Sequence, residues 1–147
     1  MSEFTIDIEI AAPPLRVFDY LADGSRTPEW YEAVRTATKV TEGPTGEGSR
    51  YVFARVLPQQ GEVTNEVEVT EFDPPSLITF TSRSGPTPFV YRYMIEPAET
   101  GSRVTLEGSI TGEGLKGPAA LLAPFAGKFF ARGMAENLQE LKSRIEA

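Results

Sequence analysis

The side chains best suited to chemistry in this sequence stand on two neighbouring strand-like segments. Asn65 shares one face of the segment 62–72 with three valines, while carboxylates and threonines take the other face. Because side chains alternate along a strand and carboxylates prefer water, Asn65 should point into the interior. Arg55, in the preceding segment 49–57, should lie beside it. A buried guanidinium presents a planar set of donors that suits a carboxylate, a phenolate or a polarised carbonyl.

The inward position of Arg55 depends on the length of the hairpin loop within residues 58–61. A three-residue loop turns Arg55 inward together with its alternate neighbours, which are Tyr51, Phe53 and Leu57. A two-residue loop would instead turn inward Val52, Ala54 and Val56. We prefer the first register because it hides two aromatic rings and gives Asn65 a partner. An arginine at an inner position is costly unless it is paired, which favours a functional role for it.

Further inward positions on the later strands, with the aromatic C-terminal segment, complete a predicted chamber. The predicted ligand-binding residues are Trp30, Tyr51, Phe53, Arg55, Asn65, Val67, Phe80, Ser82, Tyr91, Tyr93, Gly108, Phe125, Phe129, Phe130 and Met134. They would form an aromatic surface with a few polar tips, and Gly108 would leave room near the C-terminal helix. The competing explanation is that the tyrosines, Trp30 and the phenylalanines are ordinary core residues.

Composition excludes several kinds of site. The 147 residues include no cysteine and no histidine, which removes disulfides, thiol nucleophiles, histidine-based triads and the common zinc sites. The net charge of −7, without a run of Lys or Arg, argues against nucleic-acid binding. We expect no metal and no cofactor, because the acidic residues are scattered. We find no membrane-spanning stretch and no export signal, so we expect a cytoplasmic monomer or homodimer with one domain over residues 1–147.

Apolar patterns and turn residues divide the chain into the elements that must position these side chains. Phe4 to Ile10 alternates strictly between apolar and polar residues, as a half-buried strand does. Two short helices should follow, one around Val17 to Ala22 and one from Thr27 to Val34 that carries Trp30 and Tyr31. Strand-like segments joined by short turns then predict an antiparallel meander. These segments span residues 36–41, 49–57, 62–72, 77–82, 89–96 and 103–112.

The last segment, Leu115 to Ala147, predicts one long but interrupted amphipathic helix. Its apolar stripe, spaced by three and four residues, consists of Phe130, Met134, Leu138, Leu141 and Ile145. This stripe must be buried against the preceding sheet. The first half of the segment, residues 117–133, is rich in proline and glycine yet carries three phenylalanines. That combination indicates a cavity beneath this end of the helix.

The order of elements and five short motifs resemble the SRPBCC superfamily of START and birch-pollen-allergen-like proteins, in its polyketide cyclase/dehydrase-like branch. The motifs lie at residues 10–23, 28–30, 69–75, 93–97 and 101–105. They mark turns and core positions, so the resemblance is specific for the fold rather than for one function. It implies an α+β helix-grip fold, in which a curved seven-stranded antiparallel sheet wraps around a long C-terminal helix, with two short helices between strands 1 and 2. It also implies an apolar ligand chamber between the sheet and that helix.

Three functions are compatible with such a chamber. The first is binding of a hydrophobic or aromatic small molecule of lipid, polyketide or quinone type, with Arg55 and Asn65 or a tyrosine at its polar end. The second is a cyclase/aromatase or dehydratase enzyme, in which Arg55 would stabilise an enolate and Tyr91 would act as general acid. The third is an interaction module with a vestigial cavity. The first is favoured, because the sequence offers no histidine and no acidic residue that we can place inside, and a phenol with a pKa of about 10 is a poor base.

Overall fold

A computed structural model of the chain describes residues 2–57, 61–115 and 117–147, and this part contains seven strands and three α-helices. The strands are β1 (Ser2–Ile10), β2 (Val34–Lys39), β3 (Arg50–Leu57), β4 (Gly61–Asp73), β5 (Leu77–Ser84), β6 (Phe89–Ala98) and β7 (Gly101–Ile110). The α-helices are α1 (Pro14–Ala22), α2 (Thr27–Trp30) and α3 (Ala126–Glu146), and 3-10 segments cover Gly24–Arg26 and Gly117–Phe125. The elements follow one another in the predicted order.

The strands form one antiparallel sheet in the order β1-β7-β6-β5-β4-β3-β2. Strands β2 to β7 each lie beside their neighbours in sequence, so short turns suffice to connect them, and β1 joins the far edge beside β7. Helix α3 packs against β1 and β7, and α1 and α2 pack against α3. The curved sheet therefore holds the C-terminal helix in the helix-grip arrangement that the resemblance implied.

The register between β3 and β4 decides which face Arg55 occupies. Leu57 pairs with Gly61 and Phe53 pairs with Asn65, as the three-residue hairpin loop requires. Tyr51, Phe53, Arg55 and Leu57 are all buried, so the preferred register is confirmed. The predicted turn covers residues 58–61, and its first three residues, 58–60, lie outside the described residues.

Helix α3 is shorter than the sequence pattern predicted. The sequence predicted a helix from Leu115 that is interrupted in its Pro- and Gly-rich first half; part of that half, Gly117–Phe125, is a 3-10 segment, and the α-helix begins only at Ala126. Pro124 explains the boundary, since proline lacks the N–H for an α-helical hydrogen bond and clashes with the preceding turn. The predicted stripe is confirmed: Met134, Leu138, Leu141 and Ile145 are buried, and half-buried Phe130 packs against the core. None of the described helices has both the length and the apolar character needed to cross a bilayer.

Helix α2 also ends earlier than predicted. Its last residue is Trp30, because Tyr31 takes an extended conformation and Val34 enters β2 opposite Arg55. The prediction extended the helix to Val34, but strand pairing overrides the local helical pattern here. The early end leaves both Trp30 and Tyr31 buried against the interior.

The outer face of the sheet is polar and carries cross-strand ion pairs. Arg92 lies 3.0 Å from Glu71 and 3.3 Å from Glu107, and its guanidinium also contacts the sulfur of Met94 at 3.6 Å. Met94 thus lies on the face opposite to α3, because it alternates along β6 with the buried residues Tyr93 and Ile95.

Candidate functional site

A cavity of about 930 Å³, partly open to solvent, lies between the first half of α3 and the neighbouring ends of β2 and β3. Its walls combine aliphatic, aromatic and backbone surface with a charged rim. The lining residues are Tyr31, Glu32, Ala33, Arg35, Val56, Leu57, Phe129, Phe130, Arg132, Gly133, Met134, Glu136 and Asn137. The volume falls in the range of small-molecule sites, roughly 300–1,000 Å³. This is the region where the sequence predicted a cavity.

A smaller cavity of about 360 Å³ adjoins the first along the contact between α2 and α3. The two cavities share the lining residues Glu32, Glu136 and Asn137. Asn137 is buried, and its side-chain oxygen accepts a hydrogen bond from the Glu32 backbone N–H at 3.2 Å. Trp30 lines this second cavity, so the two together form a groove that runs along one side of α3.

Arg55 and Asn65 form a buried polar cluster, as predicted. Arg55 Nε donates to Asn65 Oδ1 at 2.9 Å, and Nη2 donates to the Pro86 carbonyl at 2.8 Å and to the Thr87 hydroxyl. Asn65 Nδ2 donates to the carbonyls of Ser84 at 3.0 Å and Pro86 at 2.9 Å. The cluster therefore fixes the loop between β5 and β6, which the sequence marked only as a turn.

The charge of Arg55 has no buried counter-charge. Arg55 is 1 % exposed, and it is the only buried Lys or Arg among residues 2–57, 61–115 and 117–147. None of the 21 Asp and Glu residues, all of which the structure describes, is buried. The guanidinium lies over the Phe89 ring at 5.3 Å, a cation–π contact that offsets part of the cost of burial. The interior thus carries a net positive charge within a chain of net charge −7.

Three buried side-chain polar atoms have no hydrogen-bond partner within the described part of the chain. They are the hydroxyl of Tyr91, Nε1 of Trp30 and the hydroxyl of Ser109 on β7. Burial is the main cause that raises the pKa of Tyr91 well above its usual 10.0, and the nearby hydroxyls of Tyr31 and Tyr93 raise it further. The Tyr31 hydroxyl is close enough for this electrostatic effect, although it does not meet the geometry of a hydrogen bond to Tyr91. Burial likewise raises the pKa of Tyr93.

The aromatic rings of the interior pack against one another in edge-to-face and stacked pairs. Trp30 meets Tyr93 edge to face with ring centres 6.3 Å apart, and Tyr93 meets Phe80 in the same way at 6.2 Å. Tyr91 stacks on Phe89 at 4.8 Å. Such contacts are what a packed core shows, so these rings surround the unpartnered donors rather than an enclosed chamber.

Several predicted ligand-binding residues fill the core instead of lining the 930 Å³ cavity. The hydroxyl of Tyr51 is 2.7 Å from that of Thr45. Ser82 is half-buried and accepts from the Phe89 N–H at 3.4 Å. The room that Gly108 leaves is filled by the ring of Phe4, which a side chain at residue 108 would overlap. The aliphatic and aromatic positions Phe53, Val67 and Phe80 are core residues as well.

Of the predicted ligand-binding residues, those of the C-terminal segment are the ones found in the wall of the 930 Å³ cavity. Phe129, Phe130 and Met134 line the cavity, whereas Phe125 lies outside that set and is 62 % exposed. The sequence interpretation assigned no ligand role to Tyr31, Leu57 or Gly133, which also line the cavity. The inward position of Leu57 in the preferred register could have predicted its place in the cavity wall, whereas nothing in the local sequence indicates such a place for Gly133. Among the described residues, no three His, Cys, Asp or Glu side chains lie together in a way that could hold a metal ion.

A curved seven-stranded antiparallel sheet that grips a C-terminal helix defines the START-like fold. The family model described as "Polyketide cyclase / dehydrase and lipid transport" matches residues 1–146, so the chain belongs to this family. No curated protein matches the chain.

Solved structures with the same fold cover nearly the whole chain. TTHA0849 from Thermus thermophilus is 21% identical, with a TM-score of 0.79 over 97% of this chain and 96% of that chain. A START superfamily protein from Mycobacterium smegmatis is 16% identical, with a TM-score of 0.76 over 99% and 98% of the two chains. Ara h 8.0201 is 16% identical, with a TM-score of 0.72 over 97% and 96%. At these identities the likeness shows the fold alone.

Proposed function

We propose that this protein binds a hydrophobic or aromatic small molecule in the cavity beside α3. The observation that carries the proposal is the cavity itself, about 930 Å³, with Leu57, Phe129, Phe130 and Met134 in its wall. Apolar walls with a few polar groups are typical of small-molecule sites. The family description, which includes both polyketide cyclases and lipid transport, supports the same class of ligand.

The polar end of the ligand would point toward the interior donors. Leu57 lies in the cavity wall, and Arg55 is the next inward-facing position along β3, about 7 Å deeper. Tyr31 also lies in the wall, and its hydroxyl influences the pKa of Tyr91. A ligand seated between these two wall residues would lie in front of Arg55 and Tyr91, which line neither cavity. The deeper predicted residues would act from behind this wall.

The buried side chains support binding rather than proton abstraction. No Asp or Glu is buried, and the raised pKa values of Tyr91 and Tyr93 keep both phenols protonated at neutral pH. Protonated phenols donate hydrogen bonds but do not remove protons. A cyclase or dehydratase would need a base, and among the described residues no buried carboxylate offers one, since the cavity's own carboxylates, Glu32 and Glu136, are exposed at its rim.

Gly133 allows a direct test of the cavity. A Cβ at this position would meet no atom within 4 Å, although the residue lies in the cavity wall. Leucine there would project into the space that the ligand needs, whereas alanine would leave most of it open. We expect saturable fluorescence enhancement of 8-anilinonaphthalene-1-sulfonate with wild type and Gly133→Ala, and at least about tenfold weaker binding with Gly133→Leu. Equal binding by all three proteins, or no saturable binding by wild type, would contradict the proposal.

A further inference from the structure

Exposed apolar side chains are concentrated around the beginning of α3. Large hydrophobic side chains that are exposed number five among the described residues, and three of them lie between residues 121 and 129. They are Leu121, which is 78 % exposed, Phe125, which is 62 % exposed, and Phe129, which is 47 % exposed. Single exposed hydrophobic residues are normal, whereas several on one short segment indicate a surface that another molecule covers.

Basic side chains without a partner lie at the same end of the helix. Of the 14 Lys and Arg residues, Lys116 lies outside the described residues, and ten others make an ion pair or a hydrogen bond within the described part of the chain. The remaining three are Arg35, Lys128 and Arg132, and all three are exposed. Arg35 and Arg132 line the cavity together with Phe129, and Lys128 immediately precedes that phenylalanine.

Helical spacing places the apolar and basic groups on one face of α3. Lys128, Phe129 and Arg132 follow the N-cap Phe125 at intervals of three and four residues, so they share a face, while Met134 is buried on the opposite side. Residues 114–135 contain no Asp or Glu. The acidic residues of α3 begin only at Glu136, one turn beyond this face. We call the following residues the tip surface: Leu121, Phe125, Lys128, Phe129 and Arg132.

We propose that the tip surface docks on an anionic lipid membrane, with its apolar side chains in the bilayer interface and its cations against the lipid phosphates. This inference goes beyond the proposed function. A bilayer interface offers an apolar phase and a negatively charged layer side by side, which is the combination that the tip surface matches. Three side chains provide less apolar area than the roughly 800 Å² that each partner buries in a stable protein complex, whereas a bilayer sets no such requirement.

The net charge of −7 does not prevent this contact. At physiological ionic strength, charges farther than about 8 Å from the membrane are largely screened, so the charges next to the lipid decide the interaction. The carboxylates of the outer sheet face are paired with arginines, as Glu68 is with Arg83 and Glu71 is with Arg92. Lys128 and Arg132 have no such neutralising partner among the described residues.

Cosedimentation with lipid vesicles tests the basic part of the tip surface. Vesicles of phosphatidylcholine alone would be compared with vesicles in which about a quarter of the lipid is phosphatidylglycerol. We expect wild type to bind the mixed vesicles at least about tenfold more tightly, and to lose this preference at high salt. The double variant Lys128→Gln/Arg132→Gln should bind the mixed vesicles about 25-fold more weakly, at about fivefold for each cation.

The matched control for charge is Arg50→Gln/Arg83→Gln. It removes two cations as well, but from half-exposed ion pairs with Glu66 and Glu68 on the sheet. We expect its vesicle binding to equal that of wild type. If the two double variants weaken binding equally, the effect comes from net charge and the inference is overturned.

Phe125→Gln tests the apolar part, and Leu15→Gln is its control. Leu15 is 57 % exposed, close to Phe125 in exposure, but it lies on α1, where its neighbour Arg16 donates to the Ile145 carbonyl at the other end of α3. That end is about 30 Å from the tip surface, since each helical residue adds about 1.5 Å. We expect Phe125→Gln to weaken binding to the mixed vesicles at least about fivefold, and Leu15→Gln to leave it unchanged. Urea denaturation should be the same for both variants, because both side chains are exposed.

The possible results separate this inference from the proposed function. Dye binding by a wild-type protein that fails to bind mixed vesicles, or binds both kinds of vesicle equally, overturns membrane docking while hydrophobe binding stands. A wild-type dimer that Phe125→Gln makes monomeric, without vesicle binding, assigns the tip surface to a second copy of the chain and also overturns docking. Vesicle binding with the expected response of the variants supports docking even if the dye does not bind, a result that would overturn the proposed function alone.

Discussion

Arg55 combines two roles at the scale of single residues: its hydrogen bonds hold a loop, and its charge polarises the interior. Three of its contacts end on Asn65, Pro86 and Thr87. Replacing it by methionine would keep much of the volume but remove every donor. Asn65 Oδ1 and the Thr87 hydroxyl would then lose this donor in a buried setting, at a cost of about 1–3 kcal/mol each, whereas the Pro86 carbonyl would keep its hydrogen bond from Asn65 Nδ2.

We therefore expect Arg55→Met to lower the free energy of unfolding by about 2–4 kcal/mol, measured by urea denaturation. Arg83→Ala is the control, because Arg83 is half-exposed and pairs with Glu68 at 3.1 Å on the outer face. An exposed ion pair contributes at most about 1 kcal/mol, so the control should change little. Equal effects of the two substitutions would show that the buried cluster does not hold the loop.

The buried tyrosines make stability sensitive to alkaline pH. In the unfolded chain a tyrosine loses its proton near its usual pKa of 10.0, whereas burial raises the pKa of Tyr91 and Tyr93 in the folded protein. The folded state therefore binds more protons above pH 10, and its stability falls as the pH rises. The stabilising effect of these two groups is complete below pH 10 and is lost toward the folded-state pKa.

We expect the free energy of unfolding to fall above about pH 10, with a slope approaching about 1.4 kcal/mol per pH unit for each buried tyrosine. Tyr91→Phe should make this slope shallower. Urea denaturation at a series of pH values measures it, and phenolate absorbance follows ionisation directly. Full ionisation of all five tyrosines in the folded state near pH 10 would contradict the described burial.

At the scale of secondary-structure elements, the buried face of helix α3 could be predicted from the sequence. The three-and-four spacing placed Met134, Leu138, Leu141 and Ile145 on the buried face, because that spacing is a property of helix geometry alone. The carboxylates of β4 likewise revealed which face Asn65 occupies. These patterns are local, and burial against any partner produces them.

The predictions that failed at this scale depended on competition between neighbouring interactions. Because Val34 pairs with β3, helix α2 is shorter than predicted. Pro124 divides the C-terminal segment into a 3-10 segment and an α-helix. The room beside Gly108 closed because Phe4 lies opposite it across β1 and β7, about a hundred residues away in sequence. The chamber expected from the sequence is therefore a groove at one end of α3, with packed rings behind it.

Stability measurements on the two Gly133 variants show whether a loss of dye binding comes from a filled cavity or from a damaged helix. An alanine in a helix is more stable than a glycine by about 1 kcal/mol, and Gly133 has open space for the added atoms. Gly133→Ala and Gly133→Leu should therefore both equal or exceed wild type in the free energy of unfolding. Loss of dye binding in Gly133→Leu would then reflect the filled cavity and not a damaged fold.

The whole molecule places a positively charged, donor-rich interior inside an acidic surface. Ion pairs and carboxylates cover the outer face of the sheet, while α3 covers an inner face whose only buried charge, among the described residues, is Arg55. A cytoplasmic location and a monomeric or dimeric state remain predictions from the sequence.

The binding of a hydrophobe beside α3 can be observed most directly through methionine methyl groups. The chain has three methionines, of which Met134 lines the cavity and Met94 lies on the outer face of the sheet. In a ¹³C-methyl-methionine NMR titration with 2-acetylnaphthalene, we predict a saturable shift of the Met134 signal and an unchanged Met94 signal. A Met134 signal that stays fixed while the ligand binds, or that moves no more than the Met94 signal, would contradict the account.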